Sequence, residues 1–541
     1  MKKISGQLID ILNKEVYPAE VTFDNTRIIS IEKVSIVDDQ YLLPGFVDAH
    51  VHVESSMLVP SEFARLAVVH GTVATISDPH EIGNVLGVEG VEYMINNGNE
   101  VNFKFHFGAP SCVPATTFET AGAVIDTSDV EYLLKKPEVH YLAEMMNWPG
   151  VLFKDKEVFE KIDVAQKLGK PVDGHAPGLK GEQAREYIAA GISTDHECFT
   201  AEEALDKLKY GMKILIREGS AAKNFEALIP LLDEHFENMM FCSDDKHPDN
   251  LVEGHINLLV KRALAKDIDL FKVLRAACVN PVEHYKMNVG LLQTGDPADF
   301  IVIDNIADFN VKQTYINGEL VAENGITRIE RIENKIVNNF NTSPKIVEDF
   351  DVEITKANVQ VMEALDGQLI TNLKLFPSVL IDNEKQTNIE NDILKIAVVN
   401  RYADAPVAVG YVQNIGLKEG AIASSVGHDS HNIVVVGVDS VAMCQAVNLI
   451  IAQKGGVSAV GNNHEMILGL PVVGIMSDKD GYEVAKEYSA IDHFAKLLGS
   501  TLNSPFMTLS FMALLVIPKA KMSDLGFFDG EKFEFIEVFC D

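Results

Sequence analysis

From residue 46 to residue 244 the sequence repeats one pattern eight times: a short apolar run, then a stretch with helical spacing. The runs lie at 46–52, 73–78, 103–108, 139–145, 171–175, 191–196, 213–217 and 239–244. They are apolar throughout rather than alternating, which marks strands covered on both faces and therefore a parallel sheet. Helical patterns fit between them, for example at 182–190 and at 201–209, the latter opened by Thr200 with Glu203 at capping-box spacing. Eight such strands, each followed by a helix, predict a closed (β/α)8 barrel of TIM-like form.

The barrel accounts for only part of 541 residues, a length that calls for more than one core. Short strands with turns occupy 4–40, and the same texture returns at 299–303 and 313–321, where Asn317-Gly318 marks a hairpin turn. Two β-rich pieces on either side of an α/β insertion predict a composite β-sandwich domain from 1–40 and 290–335, flanking the barrel at 41–289. The polar stretch 338–344 reads as a linker. Beyond it, strands such as 396–399 and 433–438 alternate with helices such as 441–453, so 345–541 is expected to be a C-terminal α/β domain.

Charge narrows the partners. With 46 basic and 79 acidic residues the net charge is −33, which argues against nucleic acid or an anionic membrane surface and leaves a small molecule. Gln7 and Asp10 interrupt any signal-type apolar segment after Met1, and no run approaches the length that spans a bilayer. The six cysteines show no paired spacing and no CxxC, which fits reduced thiols in a cytoplasmic protein.

Five of the eight runs end in a potential metal ligand. His50 and His52 lie two apart on the first, so both project from one face. Glu144 ends the fourth, His175 the fifth, His196 the sixth and Asp244 the eighth. Residues at the carboxyl ends of barrel strands converge on one mouth. A single strand histidine is usually a core residue, and HxH alone is weak; the weight lies in six such groups in strand order. Imidazole with carboxylate suits a divalent transition ion, which makes a nucleophile of water near neutral pH.

The stretch Leu43-Pro-Gly-Phe-Val-Asp-Ala-His-Val-His52 resembles the first-strand signature of the amidohydrolase superfamily, and Gly295-Asp-Pro-Ala-Asp-Phe300 its returning β-domain. More narrowly, His50-Val-His-Val-Glu-Ser-Ser-Met57, Ser77-Asp-Pro-His-Glu-Ile-Gly-Asn84, Gly174-His-Ala-Pro-Gly178, Thr194-Asp-His-Glu197 and Ser243-Asp-Asp-Lys-His-Pro248 are similar to the bacterial adenine deaminase family. That resemblance runs nearly the whole chain, including Gly427-His-Asp-Ser-His-Asn432. It implies hydrolytic deamination of adenine at two divalent metal ions, with Mn2+ expected and Fe2+ or Zn2+ as alternatives. It further implies His50 and His52 on the more buried ion, His175 and His196 on the second, Glu144 bridging, and Asp244 completing the first site and moving protons.

Attack at C6 puts charge on ring N1, which needs a donor. His80, Glu81 and Glu218 are the candidates, with Glu218 favoured, although Arg217-Glu218 also reads as a local ion pair and His80 as a helix cap. Asp78 and Asp245 are expected to orient ligating histidines, and His247 and His255 to be structural or surface residues. The histidines and Asp429 of 427–432 are expected to bond a tight turn, with the barrel mouth or a neighbouring subunit as the other possibility. The C-terminal domain is expected to shield the mouth or make a dimer contact, in a homodimer.

Cyclic-amide hydrolases of the same superfamily often carry a carbamylated lysine on the fourth strand. Here 139–145 reads Val-His-Tyr-Leu-Ala-Glu-Met, with no lysine, which favours the deaminase. The small zinc deaminases are excluded because no PCxxC occurs. Adenosine, another aminopurine, stays open as a substrate. A barrel kept only as a scaffold is disfavoured, since all six ligand positions are filled.

Overall fold

A computed structural model describes residues 1–382 and 384–541. Lys2–Asp10 and Glu15–Phe23 pair antiparallel along their full length, Lys2 opposite Phe23 and Asp10 opposite Glu15. Ile28–Lys33 adds to one side. On the other side Tyr41–Pro44 runs parallel to the first strand and antiparallel to Phe300–Ile303, after which Val311–Ile316, Glu319–Glu323 and Ile326–Thr327 follow. The β-rich pieces therefore make one continuous eight-stranded sheet, which reaches past residue 40 to take in Tyr41–Pro44. Strands three places apart in a flat sheet lie about 14 Å from each other. Yet Phe23 and Phe300, on strands three apart, meet edge to face at 5.1 Å between ring centroids. The sheet curls until its own inner face encloses Leu8, Val21, Phe23, Leu42, Phe300 and Val302. Asn317 and Gly318 make the expected turn at φ 49° and 73°. A Cβ at Gly318 would stand 1.8 Å from the Asp24 carbonyl oxygen, so only glycine fits there.

The eight predicted runs are all strands or strand ends. Phe46–Val51, Thr72–Ser77, Lys104–Ala109, Val139–Met145 and Val172–Gly174 form a parallel arc in that order. Thr194–Asp195, Lys213–Arg217 and Met239–Cys242 form a second parallel arc. Single bridges join the arcs at both seams, Val172 to Ile192 and Val51 to Asp244. At the second seam the Asp244 N–H donates to the His50 carbonyl at 2.9 Å, tying the last strand to the first. The helices Pro60–Ala67, Val88–Asn99, Thr127–Leu134, Lys156–Lys167, Gly181–Ala189, Ala201–Lys209 and Ile256–Leu264 lie between or after these strands. Thr200 caps Ala201–Lys209 by accepting from Glu203 N at 3.2 Å, but the return half of the expected box is absent. The Glu203 carboxylate instead accepts from Phe199 N and Gly178 N, binding two loops together.

Beyond Phe350 a mostly antiparallel nine-stranded sheet is centred on Leu394–Val399 and Ile433–Gly437, with Ser440–Gln453 packed against it. The stretch 338–344 carries no regular element but is not a loose tether. Asn338 donates to the Lys454 and Pro471 carbonyls, and the buried Arg401 guanidinium donates to Asn338 Oδ1 at 3.0 Å. One apolar cluster runs from Leu58, Val59 and Phe63 through to Val472, Ile475 and Met476. Arg65 pairs with Asp480 at 2.7 Å across the same boundary. The six cysteines are free thiols, five of them buried. Among the described residues no helix is long and apolar enough to cross a membrane.

Candidate active site

The side chains at the carboxyl ends of the parallel strands converge. His50 and His52 leave one face of the first strand, and their Nε2 atoms lie 3.2 Å apart. Both face Asp244 Oδ1, at 3.5 and 3.1 Å. Glu144 divides its oxygens. Oε1 lies 3.3 Å from His52 Nε2, while Oε2 lies 2.9 Å from His175 Nδ1 and 3.2 Å from His196 Nε2. The His196 ring stacks on His50 at 4.1 Å. The six groups expected to meet do meet, and all are buried.

The donor set fits cations. His50, His196 and Asp244 offer atoms within 4.8 Å of one another, as do Glu144, His175 and His196. His175 Nε2 and His80 Nδ1 are buried without a hydrogen-bond partner among the described residues. Imidazole nitrogens aimed at one another around carboxylates are what a divalent ion needs and what a neutral core avoids. This is a buried His/Asp/Glu cluster of metal-binding type. Burial alone would raise both carboxyl pKa values. Facing histidines, led by His175, hold Glu144 well below the usual range, and Arg217 with His50 and His52 does the same for Asp244.

Around the cluster the predicted residues divide. Asp78 accepts from the backbone N–H groups of His80 and Glu144, while its backbone carbonyl, rather than its carboxylate, orients His52 through Nδ1 at 3.1 Å. His80 lies in the site, with Nδ1 3.4 Å from Glu144 and Nε2 3.6 Å from Asp429. Glu81 accepts from Ser55 Oγ at 3.0 Å, and Ser55 also reaches Asp245 at 2.5 Å. Asp245 thus holds Ser55 and faces His428 rather than steering a strand histidine. His255 is structural, between Thr72 and Asp48, and His247 is buried against Tyr488.

Two further expectations need correction. Glu218 is turned away from the cluster and pairs with Arg262 at 2.9 Å. Alternation explains this: Arg217 points into the mouth, so its successor points out. Arg217 is not Glu218's partner either. It contacts Glu197 and reaches Asp244 Oδ2 at 2.5 Å. Glu197 also faces His175 and His196, at 3.6 and 3.4 Å. The only sequence signal for Glu197 was its place directly after His196. The second correction concerns 427–432. His428 Nδ1 lies 2.9 Å from Glu81, and both His428 and Asp429 line the catalytic cavity with Leu369 and Leu514. Burial disfavours charge on His428, but Glu81 and Asp245 outweigh it and lift the imidazole to about 9.

Residues 41–321 match the Amidohydrolase family, and that match together with this cluster defines the class, a metal-dependent hydrolase. Residues 368–534 match the Adenine deaminase C-terminal domain. An adenine deaminase of Sulfurovum sp. is 53% identical over 536 residues, covering 99% of each chain. One from Salinibacter ruber is 53% identical over 540 residues with the same coverage, and one from Methanosarcina mazei 48% over 557 residues, covering 100% of each. The chain belongs to the adenine deaminase family.

Proposed function

We propose that the chain hydrolyses adenine to hypoxanthine and ammonia, at a mouth formed where the two parallel arcs act as one (β/α)8 barrel. The observation that carries this reading is Glu144, which sets one oxygen toward His52 and the other toward His175 and His196. A carboxylate so placed suits two cations, one held by His50, His52 and Asp244, the other by His175 and His196, with Glu144 shared. Manganese is the ion we propose, with iron or zinc able to replace it. When bound, the cations supply Lewis acidity and a nucleophilic water at neutral pH.

The chain's own groups handle protons. Asp244, beside His50 and His52, accepts a proton from the attacking water and returns it to the departing amino nitrogen. Arg217 on the opposite oxygen keeps Asp244 ionised and fixes its plane. Charge developing on N1 is met by a proton delivered from His80 or Glu81, the first two residues of the helix after the second strand, now that Glu218 lies elsewhere. The buried surroundings exclude bulk water, which strengthens each of these contacts.

The flanking sheet at 1–44 with 290–335, the barrel at 45–289 and the domain at 345–541 are the proposed units. Buried free thiols support a cytoplasmic setting, and light scattering checks the expected homodimer. The deciding experiment is ammonia release from adenine by protein stripped of metal and reloaded with manganese, iron or zinc. Activity restored by two equivalents per chain is expected, and none with any ion defeats the reading. Asp244→Asn is expected to keep the fold and lower turnover about 10²-fold or more. Near-normal turnover in that variant removes Asp244 from the proton path.

A further inference from the structure

The catalytic cavity is too tight for a substrate as it stands. Its side chains leave about 20 Å³ free, enough for about one water, and none of the six ligand-type residues is more than 6% exposed. A planar base therefore reaches the centre only through a wall that yields. The apolar part of that wall is Met146, Leu369 and Leu514. On the far side of Met146 lies an open cleft of about 750 Å³, lined by Phe118, Trp148, Phe153 and Phe533 among others. Met146 is the side chain that borders both spaces. The cleft also gathers large apolar side chains that are exposed to water, Phe153 at 86%, Val124 at 66% and Phe533 at 38%. Apolar side chains clustered this way at a surface mark a place where something binds.

We propose that this cleft is an entrance subsite for a planar heteroaromatic base, with Met146 as the gate between it and the catalytic cavity. The proposal rests on the adenine reading above. Aromatic rings stack on either face of a base whatever the direction of its polar edge, so the cleft can hold substrate entering and product leaving. The gate is a side chain and not a loop. The backbone at Met146 is tied on both sides, by its own N–H to the Glu144 carbonyl at 3.0 Å and by Trp148 N to its carbonyl at 2.8 Å. The opposite wall is anchored too, since Ser111 Oγ donates to the Glu144 carbonyl at 2.5 Å. A methionine, unbranched with three rotatable bonds, can swing aside without moving either.

Trp148 is the sole tryptophan of the chain and lines the cleft, so its emission comes from this wall, and Phe153→Ala separates binding in the cleft from binding in the catalytic cavity. Wild-type holoenzyme is titrated with hypoxanthine, the product, and adenine kinetics are taken for wild type, Phe153→Ala and Ala115→Phe. Phe153 projects into water, so its removal spares the core; Ala115 lines the cleft, and a phenyl ring there fills it. The expected result is saturable quenching of Trp148, weakened in Phe153→Ala. Both variants should lose kcat/KM by about fivefold or more, the lower end of one base–aromatic contact, with kcat bearing the smaller share. Flat emission, or a quenching midpoint and kcat/KM in Phe153→Ala equal to those of wild type, overturns the subsite. Emission that follows protein concentration and ignores the base also overturns it, assigning the face to contact between copies. Ammonia release by wild type with unresponsive emission defeats only the subsite; no ammonia release from adenine defeats both readings.

Discussion

Arg217 is the side chain whose role most exceeds its appearance in the sequence. Beside Glu218 it reads as half of an ordinary ion pair, yet side-chain alternation sends the two to opposite faces and leaves Arg217 between Glu197 and Asp244. Arg217→Met strips the cation from two buried carboxylates, and breaking a buried pair in this way costs roughly 3–5 kcal/mol. A lower unfolding midpoint and loss of bound metal are expected, and calorimetry with metal analysis checks both. The ligand histidines were legible because each ends an apolar run. Glu197 and Ser55 stand inside motifs with no role assigned, and His428 is expected at a tight turn with the mouth as the other possibility, because only the folded chain brings them together there. A second residue makes a pH prediction. Lys521 is buried with no acid beside it among the described residues, donating to the Leu369 and Phe511 carbonyls, and burial lowers its pKa from 10.5 to about 7. Between about pH 7 and 10.5 the unfolded chain holds this proton and the folded chain does not, so stability from this group rises with pH across that window. Comparison with Lys521→Met isolates it from other titrations. The stability of wild type relative to the variant should grow from pH 7 to pH 10 in urea denaturation, and a constant gap contradicts the assignment.

At the scale of elements, continuous apolar runs located all eight parallel strands, but not their lengths. The run at 191–196 keeps only Thr194–Asp195 as a strand, because Gly191 turns at φ 100° and Ile192 makes only a single bridge. The flanking strands and their joining into one composite domain were legible, whereas the expected sandwich is a single sheet curled on itself, since that depends on Phe23 meeting Phe300 across the chain. Capping signals were half legible. Thr200 caps its helix as spacing predicts, but nothing in the spacing shows that Glu203 binds neighbouring loops. Thr200→Ala should lower stability by about 1 kcal/mol while leaving ammonia release intact, as denaturation and activity assays will show. A large activity loss would mean that the helix start positions His175 or His196 more tightly than these contacts imply.

For the molecule as a whole, the C-terminal region is part of the site and not an appendage. It brings His428, Asp429, Leu369 and Leu514 to the cavity, and it shares one apolar core with the strand set. A chain ended after residue 340 should expose Leu58 and Phe63 and prove insoluble or inactive; a soluble fragment with normal turnover would show that the mouth needs no cover. Sequence alone left this region's role open because its histidines sit far from the ligands they approach. The same arrangement has a consequence during synthesis. Tyr41–Pro44 can pair with the first strand at once but finds its second partner only when Phe300–Ile303 has emerged, which at about 5–20 residues per second is roughly 10–50 s later. Leu514 is made later still. A ribosome-bound chain is therefore expected to stay catalytically silent until the segment carrying Leu514 has emerged, so free adenine meets only chains whose cavity wall is in place.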